Sequence, residues 1–87
     1  MKLNLKKNFR KNLKKQPQKI KDKSRNILKL LVKDESHKSL RRHSLKGKKY
    51  KEYESIDVTG DIRIIIQPQT MEIIDICDIG SHAQLYK

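Results

Sequence analysis

Ile62-Arg63-Ile64-Ile65-Ile66 and Ile73-Ile74-Asp75-Ile76-Cys77, joined through Gln67-Pro68-Gln69-Thr70, are the densest apolar stretches of the chain, and their reading decides the fold. Isoleucine crowds both runs, and β-branched side chains suit a pleated surface better than a helix. Both runs read as strands, with the Gln-Pro-Gln-Thr segment as the turn between them. Upstream the period is also two: Ile56, Ile62 and Ile64 fall on one parity, and Ser55, Asp57, Asp61 and Arg63 on the other. A two-residue Thr59-Gly60 loop would set Asp57 across from Ile62 and mix the faces. A three-residue loop over 58–60, with Gly60 in the left-handed position, sets Ile56 across from Ile62 and Asp57 across from Asp61, and this is the expected register. Residues 71–78 are apolar on both parities, as expected of a central strand.

The N-terminal half has a different period. Leu3 and Leu5 alternate with polar neighbours and permit a short first strand. Leu5, Phe9 and Leu13 recur every four residues, so 6–15 reads as a basic helix with a narrow apolar stripe. Gln16-Pro17 breaks it. Proline is tolerated in a first helical turn, and Ile20, Ser24, Ile27, Leu28, Leu31 and Val32 carry a second helix over 17–33. A polar connector over 34–39 leads to Leu40-Arg41-Arg42-His43-Ser44-Leu45-Lys46-Gly47-Lys48-Lys49-Tyr50, which has no clean period. The expected fold is α+β: an N-terminal strand and a helix hairpin packed on a small antiparallel sheet.

At 87 residues the chain is expected to form one domain over 1–87. Its hydrophobic fraction is only 34% against 37% charged, but the apolar positions cluster rather than scatter, which argues for a thin core over disorder. The first 51 residues carry +17 and residues 52–87 carry −5, giving the overall +12. Such a basic chain points to a polyanionic partner, because Lys and Arg release condensed counterions when they meet phosphates. Cys77 alone excludes an internal disulfide and fits a reducing compartment as strand filler. No apolar run approaches the ~20 residues of a membrane span, and the start lacks a signal-peptide core, so a cytoplasmic protein is expected. The histidines and the cysteine match no zinc spacing, and no Gly-rich phosphate loop is present; neither metal nor cofactor is expected.

On the chosen register Ser55, Asp57, Asp61 and Arg63 share a polar face that the His43 loop and the His82 tail can approach. Three stretches, 40–47 with its His-x-Leu-x-Gly element, 55–63, and Gly80-Ser81-His82-Ala83-Gln84-Leu85-Tyr86, together resemble the bacterial RelE/ParE toxin superfamily, nearest its YafQ branch. The resemblance covers nearly the whole chain. It implies a RelE-like fold and the family's activity, ribosome-dependent mRNA endonuclease, held inactive by a co-expressed antitoxin. Residue by residue it places His43 on the family's loop histidine, Asp61 on its catalytic aspartate, His82 on its C-terminal histidine and Tyr86 on its terminal aromatic. Asp57 stands where the YafQ prototype has histidine, Ile62 replaces a tryptophan, and Ile66 falls where many members have tyrosine.

The chemistry so implied is attack by a ribose 2′-OH on the adjacent phosphate, which needs a base, an acid at the leaving 5′-oxygen and positive charge at the phosphoryl oxygens. His82 and Asp61 are the expected acid–base pair, with His43 assisting, Asp57 a further catalytic candidate and Tyr86 stacking on a splayed base. Arg63, Lys46 and Lys48 are expected to hold phosphate, with Arg41, Arg42 and Lys49 as further RNA-binding cations. The expected partners are an antitoxin, the ribosome with its rRNA, and mRNA. Two rivals remain open: a ParE-like inhibitor of DNA gyrase without nuclease activity, and a catalytically degraded relative that only binds RNA or antitoxin.

Overall fold

The computed structural model describes residues 1–45 and 52–85. In chain order the elements are β1 (Lys2–Leu5), α1 (Lys7–Lys14), α2 (Gln18–Lys33), a 3-10 turn (Lys38–Leu40), β2 (His43–Ser44), β3 (Glu54–Asp57), β4 (Ile62–Pro68), β5 (Ile73–Ser81) and α3 (His82–Leu85). They form the expected α+β fold, with the strands in one sheet ordered β1-β5-β4-β3-β2. The pairs from β5 to β2 are antiparallel. β1 instead runs parallel to β5, with Leu3 beside Ile74 and Leu5 beside Ile76, and Asn4 Nδ2 donates to Asp75 Oδ1 at 3.0 Å across the pair.

The helix hairpin follows from one proline. Pro17 has no N–H to donate to α1, but its carbonyl accepts from Ile20 and Lys21 at 3.0 and 3.1 Å, so it closes one helix and opens the next. Phe9 from α1 and Leu31 from α2 are fully buried in the same core as Ile56, Ile64, Ile66, Ile74, Ile76 and Ile79. Each such side chain withdrawn from water contributes about 1.5–3 kcal/mol before ordering entropy is charged against it.

The two apolar parities of β5 have a cause other than burial on both faces. Ile64 pairs with Ile79 and Ile65 with Asp78, but Ile66 pairs with Ile76, so the register slips within β5 and Cys77 is the extra residue of a β-bulge. The bulge lets odd-numbered Ile79 share the core with even-numbered Ile74 and Ile76, all at most 2% exposed. Ile73, Asp75 and Cys77 remain half-buried on the other parity.

The β3–β4 and β4–β5 hairpins each close on a threonine. Val58 N–H and Thr59 N–H donate to the Ile62 carbonyl at 2.8 and 3.1 Å, and Thr59 Oγ1 accepts from Asp61 N–H and Ile62 N–H at 3.2 and 3.0 Å. Gln69, Thr70, Glu72 and Ile73 repeat the pattern, with Thr70 Oγ1 accepting two N–H bonds at 3.1 Å. The shared signature is Thr, any residue, an acid, then Ile. This corrects the expected register. Ile56 pairs with Ile64 and Asp57 with Arg63, two residues further along than expected, and the loop spans 58–61. Gly60 does not adopt a left-handed conformation, because the threonine hydroxyl closes the turn without one. An even slip preserves the faces, so Ser55, Asp57 and Arg63 still share the polar side, while Asp61 moves into the turn.

The bulge gives Cys77 a distinctive environment. Its thiol contacts the Asp75 carbonyl at 3.7 Å, and burial, reinforced by Asp75 and Asp78 against the opposing charge of Lys6, pushes its pKa up to about 11. Near pH 8 the folded protein should alkylate with iodoacetamide about 10- to 100-fold more slowly than the urea-unfolded chain, since the thiolate is the nucleophile. Equal rates would refute the buried bulge. Thr59→Val and Thr70→Val should each lower unfolding free energy in urea by about 1–2 kcal/mol, because each strands two turn N–H groups; an unchanged midpoint would show that solvent replaces the hydroxyl without loss.

Candidate functional site

The polar side of the sheet, opposite the face that packs on Phe9 and Leu31, brings His43, Asp57 and Arg63 together in rows set by strand pairing. One row holds His43 beside Ser55 and Ile65, and the row two residues nearer the β3–β4 turn holds Asp57, Arg63 and Gly80. Ser55 and Ile65 are buried, at 0% and 5% exposure, although they lie away from the helix layer.

His43 has both ring nitrogens engaged. Nδ1 lies 2.9 Å from the Arg41 carbonyl and Nε2 lies 2.8 Å from Ser55 Oγ. A carbonyl can only accept, so Nδ1 carries a proton; in the neutral ring Nε2 then accepts from the Ser55 hydroxyl. The Arg41 carbonyl is available because Arg41, capping the 3-10 turn, sits in the left-handed region at φ 50°, a conformation that costs a non-glycine residue on the order of 1–2 kcal/mol. The expected catalytic assistance from His43 therefore meets a geometric objection: although the residue is exposed, one nitrogen is engaged with the Arg41 carbonyl and the other with Ser55 of β3. Ser55, on the polar parity but given no role in the sequence reading, is its partner. Only the alternation pointed to it.

Asp57 lies between two guanidinium groups. Arg41 Nε is 3.5 Å from its Oδ2 and Arg63 Nε is 3.4 Å from its Oδ1. It faces Arg63 rather than Asp61, so the expected opposition of two carboxylates does not occur. Arg42 behaves differently from Arg41. Its Nε donates to Glu54 Oε1 at 2.8 Å, its Nη1 donates to the Glu35 carbonyl at 3.0 Å, and only 20% of its side chain is exposed. Arg42, expected among the RNA-binding cations, braces β3 to the segment after α2 in this structure.

The far end of the sheet holds the other pair. Ile62 and Ser81 are partners in the β4–β5 ladder; Asp61 immediately precedes the first and His82 immediately follows the second, so they flank one strand pair at the same end of the sheet. Asp61 is exposed and occupies the turn position equivalent to Glu72. His82 opens α3, which is held by a capping box: Gln84 N–H donates to Ser81 Oγ at 3.2 Å and Ser81 N–H donates to Gln84 Oε1 at 2.8 Å. A Cβ on Gly80 would lie 2.9 Å from Gln84 Oε1 and 3.2 Å from Gln84 Cβ, so a larger residue there would have to shift the capping side chain. The Ser-x-x-Gln spacing was readable in the sequence as a helix start and was missed there. Asp61 stands four residues along β4 from the His43 row, about 13 Å at strand rise, so the two clusters are neighbours and not one contact group. Lys46, Lys48, Lys49 and Tyr86 lie outside the described residues.

Away from this face, β1 and α1 shape an open groove of about 980 Å³ lined by Lys6, Lys7, Arg10, Lys11 and Lys14, with no acidic residue in its walls. Among the described residues no group of three or more His, Cys, Asp or Glu side chains gathers as a metal site, and no helix is long and apolar enough to cross a membrane.

The fold has close counterparts. The crystal structure of YafQ from E. coli strain BL21(DE3) superposes with a TM-score of 0.82 at 19% identity, covering 99% of this chain and 98% of that one. The E. coli DinJ-YafQ toxin-antitoxin complex gives 0.81 at 20% identity, covering 99% and 97%. A copper-bound mutant toxin from Helicobacter pylori gives 0.74 at 26% identity, covering 99% of both chains. Comparison of the sequence with curated proteins finds no match. The profile described as "Bacterial toxin of type II toxin-antitoxin system, YafQ" matches residues 1–87 from end to end, and the chain, with its RelE-like sheet and its His82 turn, belongs to that family.

Proposed function

We propose that this toxin is a ribosome-dependent mRNA endonuclease of the cytoplasm, cutting by attack of a ribose 2′-OH on the adjacent phosphate without a metal, and restrained by a cognate antitoxin. The observation that carries the reading is the placement of His82 and Asp61 on either side of the Ile62–Ser81 pair, with Arg63 on the next residue of β4. The capping box fixes the turn that presents His82. Imidazole, with a reference pKa of ~6.5, takes or gives a proton near neutrality, and the carboxylate beside it supplies the complementary role. Arg63 and Arg41 provide permanent positive charge for the phosphoryl oxygens. His43, bonded at both nitrogens, positions the Arg41 loop rather than transferring a proton to or from the substrate.

The remaining surface suits large polyanions. The cationic groove of α1 and β1 fits the phosphate backbone of rRNA, where each neutralised phosphate adds to the salt dependence of binding. A second groove of about 480 Å³ is lined by Leu5, Leu28 and Val32 together with Lys21, Arg25 and Lys29. An acidic, amphipathic segment of an antitoxin would suit it in charge and polarity, and the E. coli relative forms a toxin-antitoxin complex with DinJ.

Primer extension on a defined mRNA with translating ribosomes tests the reading. The natural chain should give cuts that require ribosomes, and His82→Ala should reduce them about 10²- to 10⁴-fold. Cuts undiminished in His82→Ala would remove His82 from the mechanism. No cuts from folded protein would favour the rivals, inhibition of DNA gyrase or binding without cleavage. Ser55→Ala should lower cleavage about tenfold or less, with its protein still folded, since it loosens a positioning contact rather than a reacting group; a loss equal to that of His82→Ala would return His43 to the chemistry.

A further inference from the structure

Among the described residues, Asp57 occupies a position unlike that of any other carboxylate. It faces a guanidinium with each oxygen, yet neither contact has the length of a charge-assisted hydrogen bond, about 2.7–2.9 Å. The same chain reaches 2.8 Å between Arg42 and Glu54, so a clasped Arg–carboxylate pair is within its means. Asp57 Oδ1 and Arg63 Nε are both buried at the atom level and have no hydrogen-bond partner among the described residues. Arg41 is 76% exposed along its side chain and held mainly through its backbone, so its guanidinium is free to turn. Two cations thus converge on one carboxylate that binds neither of them well.

A phosphate group has what the carboxylate lacks. Its oxygens are arranged tetrahedrally and can accept from two guanidinium forks at once, at full hydrogen-bond length. We propose that Arg41 and Arg63 form a seat for a phosphodiester of RNA, and that Asp57 is an internal competitor filling that seat until the phosphate displaces it. The RNA part of this statement rests on the nuclease reading; the seat and its competitor do not. Asp57 keeps the two guanidiniums from repelling each other apart while the seat is empty. It also lowers the seat's affinity, so that a bound strand can leave.

The test is titration of the full chain with inorganic phosphate, followed by the Nε–H resonances of Arg41 and Arg63, and in parallel with a short single-stranded RNA. Asp57→Asn, which keeps the shape and removes the charge, should tighten phosphate binding about tenfold. Glu72→Gln makes the same change in net charge on a distant turn and should leave it unaltered. Arg41→Gln should abolish the gain. Unchanged or weaker phosphate binding in Asp57→Asn would overturn the proposal and leave Asp57 a purely structural brace. Tighter phosphate with no change for RNA would overturn the assignment to a phosphodiester, whatever the ribosome assay shows. Should the Asn variant not fold, the carboxyl ¹³C resonance of Asp57 in the natural chain reads the displacement directly: it must move in step with the two arginine signals, and a resonance that stays still refutes the competition.

Discussion

Because Ile56, Ile64, Ile66, Ile74, Ile76 and Ile79 must all reach the layer that holds Phe9 and Leu31, the strands carrying them commit one entire face of the sheet to the core. A chain with only 34% hydrophobic residues cannot cover both faces of a five-stranded sheet. The other face is left to side chains whose value lies in their chemistry, apart from the buried Ser55 and Ile65. The bulge at Cys77 is what reconciles this division with the sequence of β5. Without the extra residue, Ile79 would fall on the parity of Ile73 and Asp75, and the end of β5 would bring the wrong face to Gly80 and Ser81. The placement of His82 therefore depends on a packing decision made five residues earlier.

Stability and charge are handled by separate groups. Cations in the N-terminal half line the outer surfaces of α1 and α2, where water solvates them at little cost, while three arginines among the described residues meet carboxylates, Arg42 and Arg63 partly buried and Arg41 exposed. Those few are sorted by distance. Arg42 at 2.8 Å from Glu54 acts as a fastener, with its donors directed to two segments of the chain. Arg41 and Arg63, at 3.4 to 3.5 Å from Asp57, are assembled without being clasped. Residue type did not distinguish adjacent Arg41 and Arg42. The left-handed backbone of Arg41 did, by turning one side chain toward Asp57 while its neighbour reaches Glu54.

The parts of the fold legible in the sequence are those that depend on periodicity. The four-residue spacing through Phe9 and Leu13, the break at Pro17 and the alternation from Ser55 to Arg63 placed the hairpin and the strands near their observed bounds. The parallel course of β1 was not legible, since Leu3 and Leu5 alternate identically in either direction. The hairpin register was missed because a glycine in a turn suggests a positive φ, whereas a threonine hydroxyl accepting two N–H bonds does the same work with ordinary dihedrals. The bulge was hidden because apolar residues on both parities also describe a strand covered on both sides. For the site, parity correctly grouped Ser55, Asp57 and Arg63, but partner choice at 3 Å is set by rotamers and loop geometry, which alternation does not encode.

The distance between the two clusters bears on the kind of substrate the face can serve. Asp61 and His82 lie at the end of the sheet, while His43 and Ser55 lie about 13 Å away along the strands, with Arg41, Asp57 and Arg63 in between. A mononucleotide engaging the end pair would leave the His43 loop untouched, whereas an extended strand would cross the arginines and bring successive phosphates past both. An enzyme acting on a small molecule gathers its groups around one centre; here they form a track. His43, Asp61 and His82 are exposed while Ser55 is buried and Asp57 and Arg63 are half-buried, and among the described residues α3 spans four, with a capping box and a close approach at Gly80 among its contacts. A helix this short has little stability of its own, so the turn that carries His82 is the element of the site most readily reshaped by whatever binds across it. On the proposed reading, a ribosome that presses a strand along the face would complete the site, and an antitoxin that draws the C-terminal turn aside would dismantle it without touching the core.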